Sequence, residues 1–463
     1  MPNGDMTRRA WIASAGATGM IMESGLAALG QQPAPADLAT IAQRRIDGVP
    51  GLGIAIGTIE GAKTETLLRG ESDGARPFDR ETVFEIGSVT KTFTATLLAE
   101  MVAAHEVAVD DPIDKYLPSG VKAPTFGEHH ITLLDLATQS SGLPRLPTNL
   151  APRNPGDPYA DYTAAKLYEF LSSYALTRAP GALYEYSNLG VGLLGQLLAN
   201  RAGTPYPALV TKRVLAPLGM RSTGADNMGA AYSHLVPGHD ADGDRVHSWS
   251  FDALAGAGML RSSLADMLKF LGANMNGSGT IGEAMRSAQL PRRGAGTDER
   301  IGLVWMTRSG SGIIWHNGAT FGFSAFVGFT GDRTRGIVIL ANSSDAIDDI
   351  GFHWLDPSFP LRHTYHALAL DQKLLGRFTG RYLLDYSRID PRAPSPEFAV
   401  TSKDGKLYAK LGDQPAFRIY PYAPNAFFYR IVDAQVTFTV DANGNATGLV
   451  LHQNGLDIPA KRV

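Results

Sequence analysis

The chain has no cysteine among its 463 residues. Disulfides, thiol nucleophiles and cysteine-ligated metals are therefore excluded, as is a lipid anchor on cysteine. Charge of one sign is also lacking. The formal net charge is -3, and basic residues form only isolated pairs such as Arg44-Arg45 and Arg292-Arg293. Nucleic acid is thus not an expected partner. Beyond the N-terminal region, no uncharged apolar run is long enough to span a membrane. Apolar residues are nevertheless 44% of the chain, against 19% charged. That balance is an ordinary globular one, and the length allows a sizeable core and more than one domain.

The N-terminus carries Thr7-Arg8-Arg9-Ala10-Trp11-Ile12, a weakly apolar segment from Ala13 to Leu29, and then Gln31-Gln32-Pro33. It reads as a twin-arginine export signal, with Met6 as an alternative start and Glu23 as the feature against it. Residues 1–35 are set aside on this ground. The mature chain is then expected in the periplasm with no membrane span, or in the cytoplasm if the signal reading fails.

Patterning sets the organisation of the remainder. Leu38–Ile46 has helical spacing and is stopped by Gly48-Val49-Pro50. Gly51–Gly57 and Thr64–Leu68 read as a hairpin turning at Glu60-Gly61. Helical patterns follow at 131–138, with Thr132 as N-cap, and at 164–174, 189–201 and 208–215. Residues 145–162 are rich in Pro, Asn, Asp and Gly and read as a long loop, of the kind that forms lids or rims. A Gly-rich turn and a further helix fill 255–271, and strands return at 313–315, 324–329 and 337–341. Strands at both ends and helices between them predict an α/β (α+β) fold. One antiparallel sheet carries helices on its faces, with a helical lobe beside it. Residues 36–350 form this domain, and 351–370, with Pro357 and Pro360, read as a linker ending in a short helix. From 371 to 463 apolar and polar residues alternate, as in Lys406–Leu411 and Val436–Val440. Asp404-Gly405, Asn443-Gly444 and Asn454-Gly455 supply hairpin turns. A separate small antiparallel β-barrel is expected there.

Three short motifs carry chemistry. In Glu85-Ile86-Gly87-Ser88-Val89-Thr90-Lys91, Ser88 opens a helix and Lys91 lies one turn on, on the same face. A serine hydroxyl needs a nearby base, and a buried amine can lose its proton to become one. Taken alone, Ser88 is as readily an N-cap beside a solvated lysine. Tyr186-Ser187-Asn188 precedes the 189–201 helix. Tyr186 and Asn188 then share a side, where a phenol can exchange protons with a serine and an amide can orient a lysine. A plain helix cap explains the same residues. His316-Asn317-Gly318 follows the strand Ile313-Ile314-Trp315. Gly318 would let a substrate backbone approach, and the N–H of Ala319 could complete an oxyanion hole with that of Ser88. A buried structural histidine is the simpler account of His316 by itself.

Together the motifs span 228 residues (316 minus 88), in an order that resembles the penicillin-binding-protein-like serine hydrolases. That superfamily holds class C β-lactamases, D-alanyl-D-alanine carboxypeptidases, D-aminopeptidases and family VIII carboxylesterases. Asp111-Pro112, Tyr116-Leu117-Pro118, Thr138–Pro144, Pro180-Gly181 and Pro217–Met220 also fit its habits. The resemblance covers about residues 37–345. Residues 371–463 resemble, less closely, the lipocalin-like domain appended to some D-aminopeptidases. The resemblance implies Ser88 as acylated nucleophile, Lys91 as its base and Tyr186 as proton relay. It implies Asn188 as an orienting amide and His316, Asn317 and Gly318 as the substrate-facing strand. The oxyanion hole falls to the N–H groups of Ser88 and Ala319.

No metal or cofactor is expected, and the expected partner is a small-molecule or peptide substrate. One departure bears on specificity: β-lactamases and carboxypeptidases usually begin the third motif with Lys, where this chain has His316. A neutral imidazole attracts a carboxylate weakly, and His here resembles the esterases and D-aminopeptidases. Acyl-enzyme hydrolysis of β-lactams or D-amino-acid peptides is the expected activity. A carboxylesterase of short acyl esters is the alternative, and an acyltransferase or peptide cyclase a further one. A non-catalytic binding protein fits the intact motif set least. His316 is expected to set substrate charge preference rather than to supply the nucleophile's base, and lowering the pH to charge it should favour carboxylate-bearing substrates.

Overall fold

The computed structural model describes residues 37–463 except 48, 50, 73–77, 226–233, 366, 369, 389–394, 413–415 and 454. The export-signal segment, part of the Gly48-Val49-Pro50 stop and Asn454 lie outside the described residues. The chain divides into two compact units, one ending at Leu361 and the other running Arg362–Val463.

The first unit is built on eight strands. These are β1 (Gly53–Glu60), β2 (Lys63–Gly70), β3 (Arg293–Gly294), β4 (Glu299–Ile301), β5 (Met306–Arg308), β6 (Ile314–Ala319), β7 (Ser324–Phe329) and β8 (Arg335–Ala341). Their order is β2-β1-β8-β7-β6-β5-β4-β3, and every neighbouring pair is antiparallel. The N-terminal hairpin thus closes onto the last strand, with Ile54 opposite Ala341 and Glu60 opposite Arg335. Both faces are covered. Ala55, Val327, Phe329, Val338 and Leu340 face the helical core, while Ile54, Ile56, Phe326, Ile337 and Ile339 face a second core. Burial on both faces is why β1, β7 and β8 read as continuous apolar runs.

Helix α1 (Thr90–Ala103) is buried nearly all round, with Phe93 stacked on Phe270 at 3.9 Å between ring centroids. A helix without a polar face belongs in the interior. Helix α2 (Asn188–Ala202) is similarly buried through Leu189, Leu193, Leu194 and Leu197. Thr132 caps Leu133–Ala137 through a reciprocal box with Asp135. Two expectations need revision. The 255–271 stretch is broken into Ala255–Gly258, a strand Arg261–Ser263 paired with Val83–Glu85, and the helix Leu264–Asn276. Small residues and the N-cap Ser263 end one element and start the next. Residues 351–355 are not linker but the end of helix α3 (Asp348–Leu355). Ile350, Phe352 and Leu355 bury one face of α3, and Arg45 anchors it through a bidentate pair with Asp349 at 2.9 and 2.7 Å. The prolines at 357 and 360 follow the helix rather than define a linker from 351. The short helix expected at the end of the linker lies later, at Gln372–Leu375.

The second unit is a closed barrel of eight antiparallel strands from Gly380–Leu384 to Leu456–Arg462, closed by Tyr382 opposite Arg462. Inward positions carry Tyr382, Phe398, Phe427 and Phe438, which form its core. The Asp404-Gly405 turn takes φ 51° and 70°, the left-handed pair a tight hairpin demands.

Candidate active site

Ser88 lies on the 3-10 turn Gly87–Val89, one step before α1 rather than within it. The turn packs directly on the edge of β6, and two glycines make this contact possible. Gly87 has φ +47°, and a Cβ there would stand 2.8 Å from Ala319 N and O. A Cβ on Gly318 would stand 2.1 Å from Ile86 O and 2.9 Å from Ser88 N. Any side chain at either position would push strand and turn apart.

Lys91 is fully buried, and its Nζ lies 2.8 Å from Ser88 Oγ. It also donates to Asn188 Oδ1 at 2.9 Å and to Ala257 O at 2.7 Å. The last two oxygens can only accept. A neutral amine has two hydrogens and one lone pair. With both hydrogens given to Asn188 and Ala257, the lone pair is left facing the Ser88 hydroxyl. On the other side of Ser88 the Tyr186 hydroxyl donates to Oγ at 2.7 Å. Ser88 itself is half-buried, so the cluster is reachable.

The Tyr186-Ser187-Asn188 segment serves both as cap and as site. Ser187 is the N-cap of α2, accepting from Gly190 N at 2.8 Å. Its backbone is clamped by Gln139, which takes Ser187 N on Oε1 at 2.7 Å and Glu185 N on its carbonyl at 2.7 Å. Gln139 has φ +55°, so the 138–145 segment holds a strained turn against the motif. With Ser187 turned inward to the cap, Tyr186 and Asn188 are left facing Ser88 and Lys91.

Strand β6 divides the third motif between two faces. Ile314 belongs to the helical core and Trp315 to the opposite one. By the two-residue period, His316 and Gly318 face the Ser88 side and Asn317 faces away. Asn317 accordingly donates to Asp348 Oδ2 on α3 at 2.5 Å. The expected contact of its side chain with substrate is therefore corrected: one residue of register sends it to the other face. Thr320 N bonds Phe323 O across the β6–β7 hairpin. Antiparallel alternation then turns Ala319 N–H away from β7, toward the Ser88 turn.

Burial and neighbouring charge shape the acid–base character of the cluster. Burial pushes Lys91 below the ordinary amine range, and Arg145 adds to this, against an opposing pull from Tyr186. Burial would raise Tyr186, but Lys91, Arg145 and the bond to Ser88 outweigh it and hold the phenol below its ordinary value. The two are coupled, so the proton they share belongs to the pair. Whichever group holds it, the other can accept from Ser88.

His316 is buried, with Nδ1 2.6 Å from Asn317 O. Burial first, then the Lys91 charge, lower its pKa from 6.5 to about 3. The imidazole thus stays neutral through mildly acidic pH, and the expected charging of His316 near its ordinary titration is corrected. A buried neutral histidine also ties stability to pH. Between about 3 and 6.5 the unfolded chain binds the extra proton. The stabilisation is full above about 6.5 and is lost as pH falls. From pH 7 to pH 5, wild type should lose about 2 kcal/mol more unfolding free energy than His316→Asn. Denaturant melts at the two pH values measure this; parallel losses would mean that His316 is not held neutral.

Several contributors have no signal in the sequence. Ala257 offers only a backbone carbonyl. The guanidinium of Arg145 lies 5.0 Å from the centroid of the Tyr186 ring, as does Lys91 Nζ. Tyr159, from the long 145–162 loop, has its hydroxyl 3.4 Å from Asn188 Nδ2. Its ring meets Trp249 at 5.2 Å, and Trp249 meets Phe321 at 4.8 Å, so an aromatic wall runs from Asn188 to the β6–β7 hairpin.

Known proteins share this plan. The family model described as Beta-lactamase matches residues 39–354. The D-alanyl-D-alanine-carboxypeptidase/endopeptidase AmpH of Escherichia coli (strain K12) is 35% identical over 179 residues, 38% of this chain and 46% of that protein. The match thus spans under half the length of that relative. A Beta-lactamase of Pseudomonas fluorescens is 27% identical over 331 residues, 63% of this chain and 88% of that protein. The solved D-alanine carboxypeptidase AmpC from Burkholderia cenocepacia superposes with a TM-score of 0.58 at 26% identity, covering 69% of this chain and 99% of that one. A class C beta-lactamase mutant superposes with a TM-score of 0.59 at 22% identity, covering 71% and 100%, a likeness of fold alone. With the matched span covering more than half of its length, the chain belongs to the beta-lactamase family.

Proposed function

We propose that the chain is a serine hydrolase that forms an acyl-enzyme on Ser88. The observation that carries this reading is the pair of proton carriers on one hydroxyl. Ser88 Oγ has Lys91 Nζ at 2.8 Å and Tyr186 OH at 2.7 Å. In acylation the Lys91–Tyr186 pair takes the hydroxyl proton as Oγ attacks a carbonyl carbon. The N–H groups of Ser88 and Ala319 receive the developing oxyanion. The proton then passes to the leaving group, the C–N or C–O bond breaks, and the acyl group stays on Ser88. In deacylation the same pair takes a proton from water as its oxygen adds to the acyl carbonyl, the C–Oγ bond then breaks, and the proton returns to Oγ to leave Ser88 and a free acid. Asn188 holds Lys91 in place, and Gly318 gives the substrate backbone access to the β6 edge.

β-Lactams and D-amino-acid peptides or amides are the substrates we favour, supported by the named relatives. The uncharged His316 favours a second reading, a carboxylesterase of short acyl esters. The Arg8-Arg9 segment supports export. No helix among the described residues is long and apolar enough to cross a membrane. The eight-stranded closure supports a lipocalin-like barrel.

A panel of nitrocefin, D-Ala-D-Ala peptides, D-amino-acid amides and p-nitrophenyl esters tests the activity, with peptide mass mapping after a fluorophosphonate probe. Turnover of at least one class and an adduct on Ser88 are expected. An active enzyme labelled at another residue, or a protein inert to probe and panel alike, would overturn the reading.

A further inference from the structure

Resting on the serine-hydrolase reading, we infer that Arg145 is the specificity residue of this site, receiving a substrate carboxylate in place of a third-motif lysine. The reason begins with its surroundings. Arg145 packs its guanidinium over the Tyr186 ring at 5.0 Å, and the Tyr186 hydroxyl bonds Ser88 Oγ. The cation therefore stands one ring away from the nucleophile. Among the described residues the Arg145 side chain makes no ion pair and no hydrogen bond, whereas Arg178, Arg213 and Arg293 each bind a carboxylate. It is only half-buried, so its donors remain open to an arriving ligand. A half-buried guanidinium with no anion is matched by a ligand that brings one.

Position supports the same role. The backbone of Arg145 is fixed to the start of α2, its carbonyl accepting from Leu189 N at 3.2 Å. The preceding Pro144 carbonyl accepts from Ser187 Oγ at 2.7 Å. The segment is thus tied to the same turn that places Tyr186 and Asn188, and the guanidinium needs little ordering on binding. The alternatives within the site are poorer. His316 is buried among groups that keep it neutral, and Lys91 is buried with its Nζ already engaged by Ser88, Asn188 and Ala257. Arg145 is left as the cation that can pair with substrate near Ser88.

The test uses substrate pairs differing only in a carboxylate. One pair carries it on the acyl side, as a succinyl against a butyryl p-nitrophenyl ester. The other carries it on the leaving group, as an acyl-D-lactate ester of the free acid against its methyl amide. For each pair, the ratio of kcat/KM, charged over neutral, is measured in wild type, Arg145→Ala and Arg145→Lys. The ratio should fall at least ten-fold in Arg145→Ala for one of the pairs, mainly through KM, and recover in part in Arg145→Lys. The pair that responds identifies the side on which the carboxylate sits. Unchanged ratios in both pairs would overturn the inference. So would an equal loss on charged and neutral partners with a shifted pH profile, which would make Arg145 a positioning residue for Tyr186. Fluorophosphonate labelling of Ser88 in wild type separates the two levels. Labelling with unchanged ratios refutes the Arg145 role alone, and failure to label refutes the hydrolase reading beneath it.

Discussion

Replacing Ser88 with alanine should abolish covalent labelling and lower turnover of every substrate by at least ~10³-fold, the scale lost when a covalent nucleophile is removed. Ser88 combines three features that no other serine in the site shares. Its hydroxyl touches both Lys91 and Tyr186, its turn abuts the β6 edge through two glycines, and its side chain is accessible. The neighbouring Ser187 and Ser141 instead spend their oxygens on backbone N–H groups. The substitution removes one oxygen at a half-buried position, so the fold should survive and the melting temperature should change little. Turnover within a few-fold of wild type, with a folded protein, would end the nucleophile assignment.

The second large effect is expected at the proton-carrying pair. Lys91→Met keeps an unbranched side chain one atom shorter and removes the basic amine, and should slow acylation by ~10²–10⁴-fold. Tyr186→Phe keeps the ring and removes its proton, and should cost ~10²-fold in acylation or deacylation. Pre-steady-state release of p-nitrophenol separates the two steps. The pH profile adds a signed test. Tyr186 raises Lys91 by its negative form, so its removal leaves burial and Arg145 to lower the amine further. The acid limb of kcat/KM should therefore move to lower pH in Tyr186→Phe. A limb that stays in place would show that Lys91 is not the base being titrated. If only one of the two substitutions slows the reaction, the proton is not shared.

Much of the site was legible because its parts are local. Ser88 and Lys91 are three residues apart and meet through one turn of backbone. Tyr186 and Asn188 flank a capping serine, and local cap geometry decides where they point. The same local logic fails at Asn317. Its neighbours His316 and Gly318 point toward Ser88, but strand alternation carries Asn317 to Asp348. Which face of β6 meets the nucleophile depends on packing against α1 and α3, elements separated from it by tens to hundreds of residues. Arg145 and Ala257 O were invisible for a related reason. A carbonyl has no sequence identity, and an arginine after a Gly-Leu-Pro turn looks like any surface cation until the ring beneath it is placed.

What the amino-acid sequence determined by itself were the periodic and punctuated features. Apolar spacing gave α1 and α2, two-residue alternation gave the barrel strands, and Asp404-Gly405 gave a hairpin whose φ angles only such a pair adopts freely. The tertiary structure alone decided the ionisation states. Lys91, Tyr186 and His316 all have ordinary titrations in an unfolded chain. Burial in one core lowers Lys91 and His316, and the close cations Lys91 and Arg145 lower Tyr186 against the opposing effect of its burial. Desolvation and Coulomb energy depend on what surrounds a group in space, and residues far apart in the chain supply those surroundings.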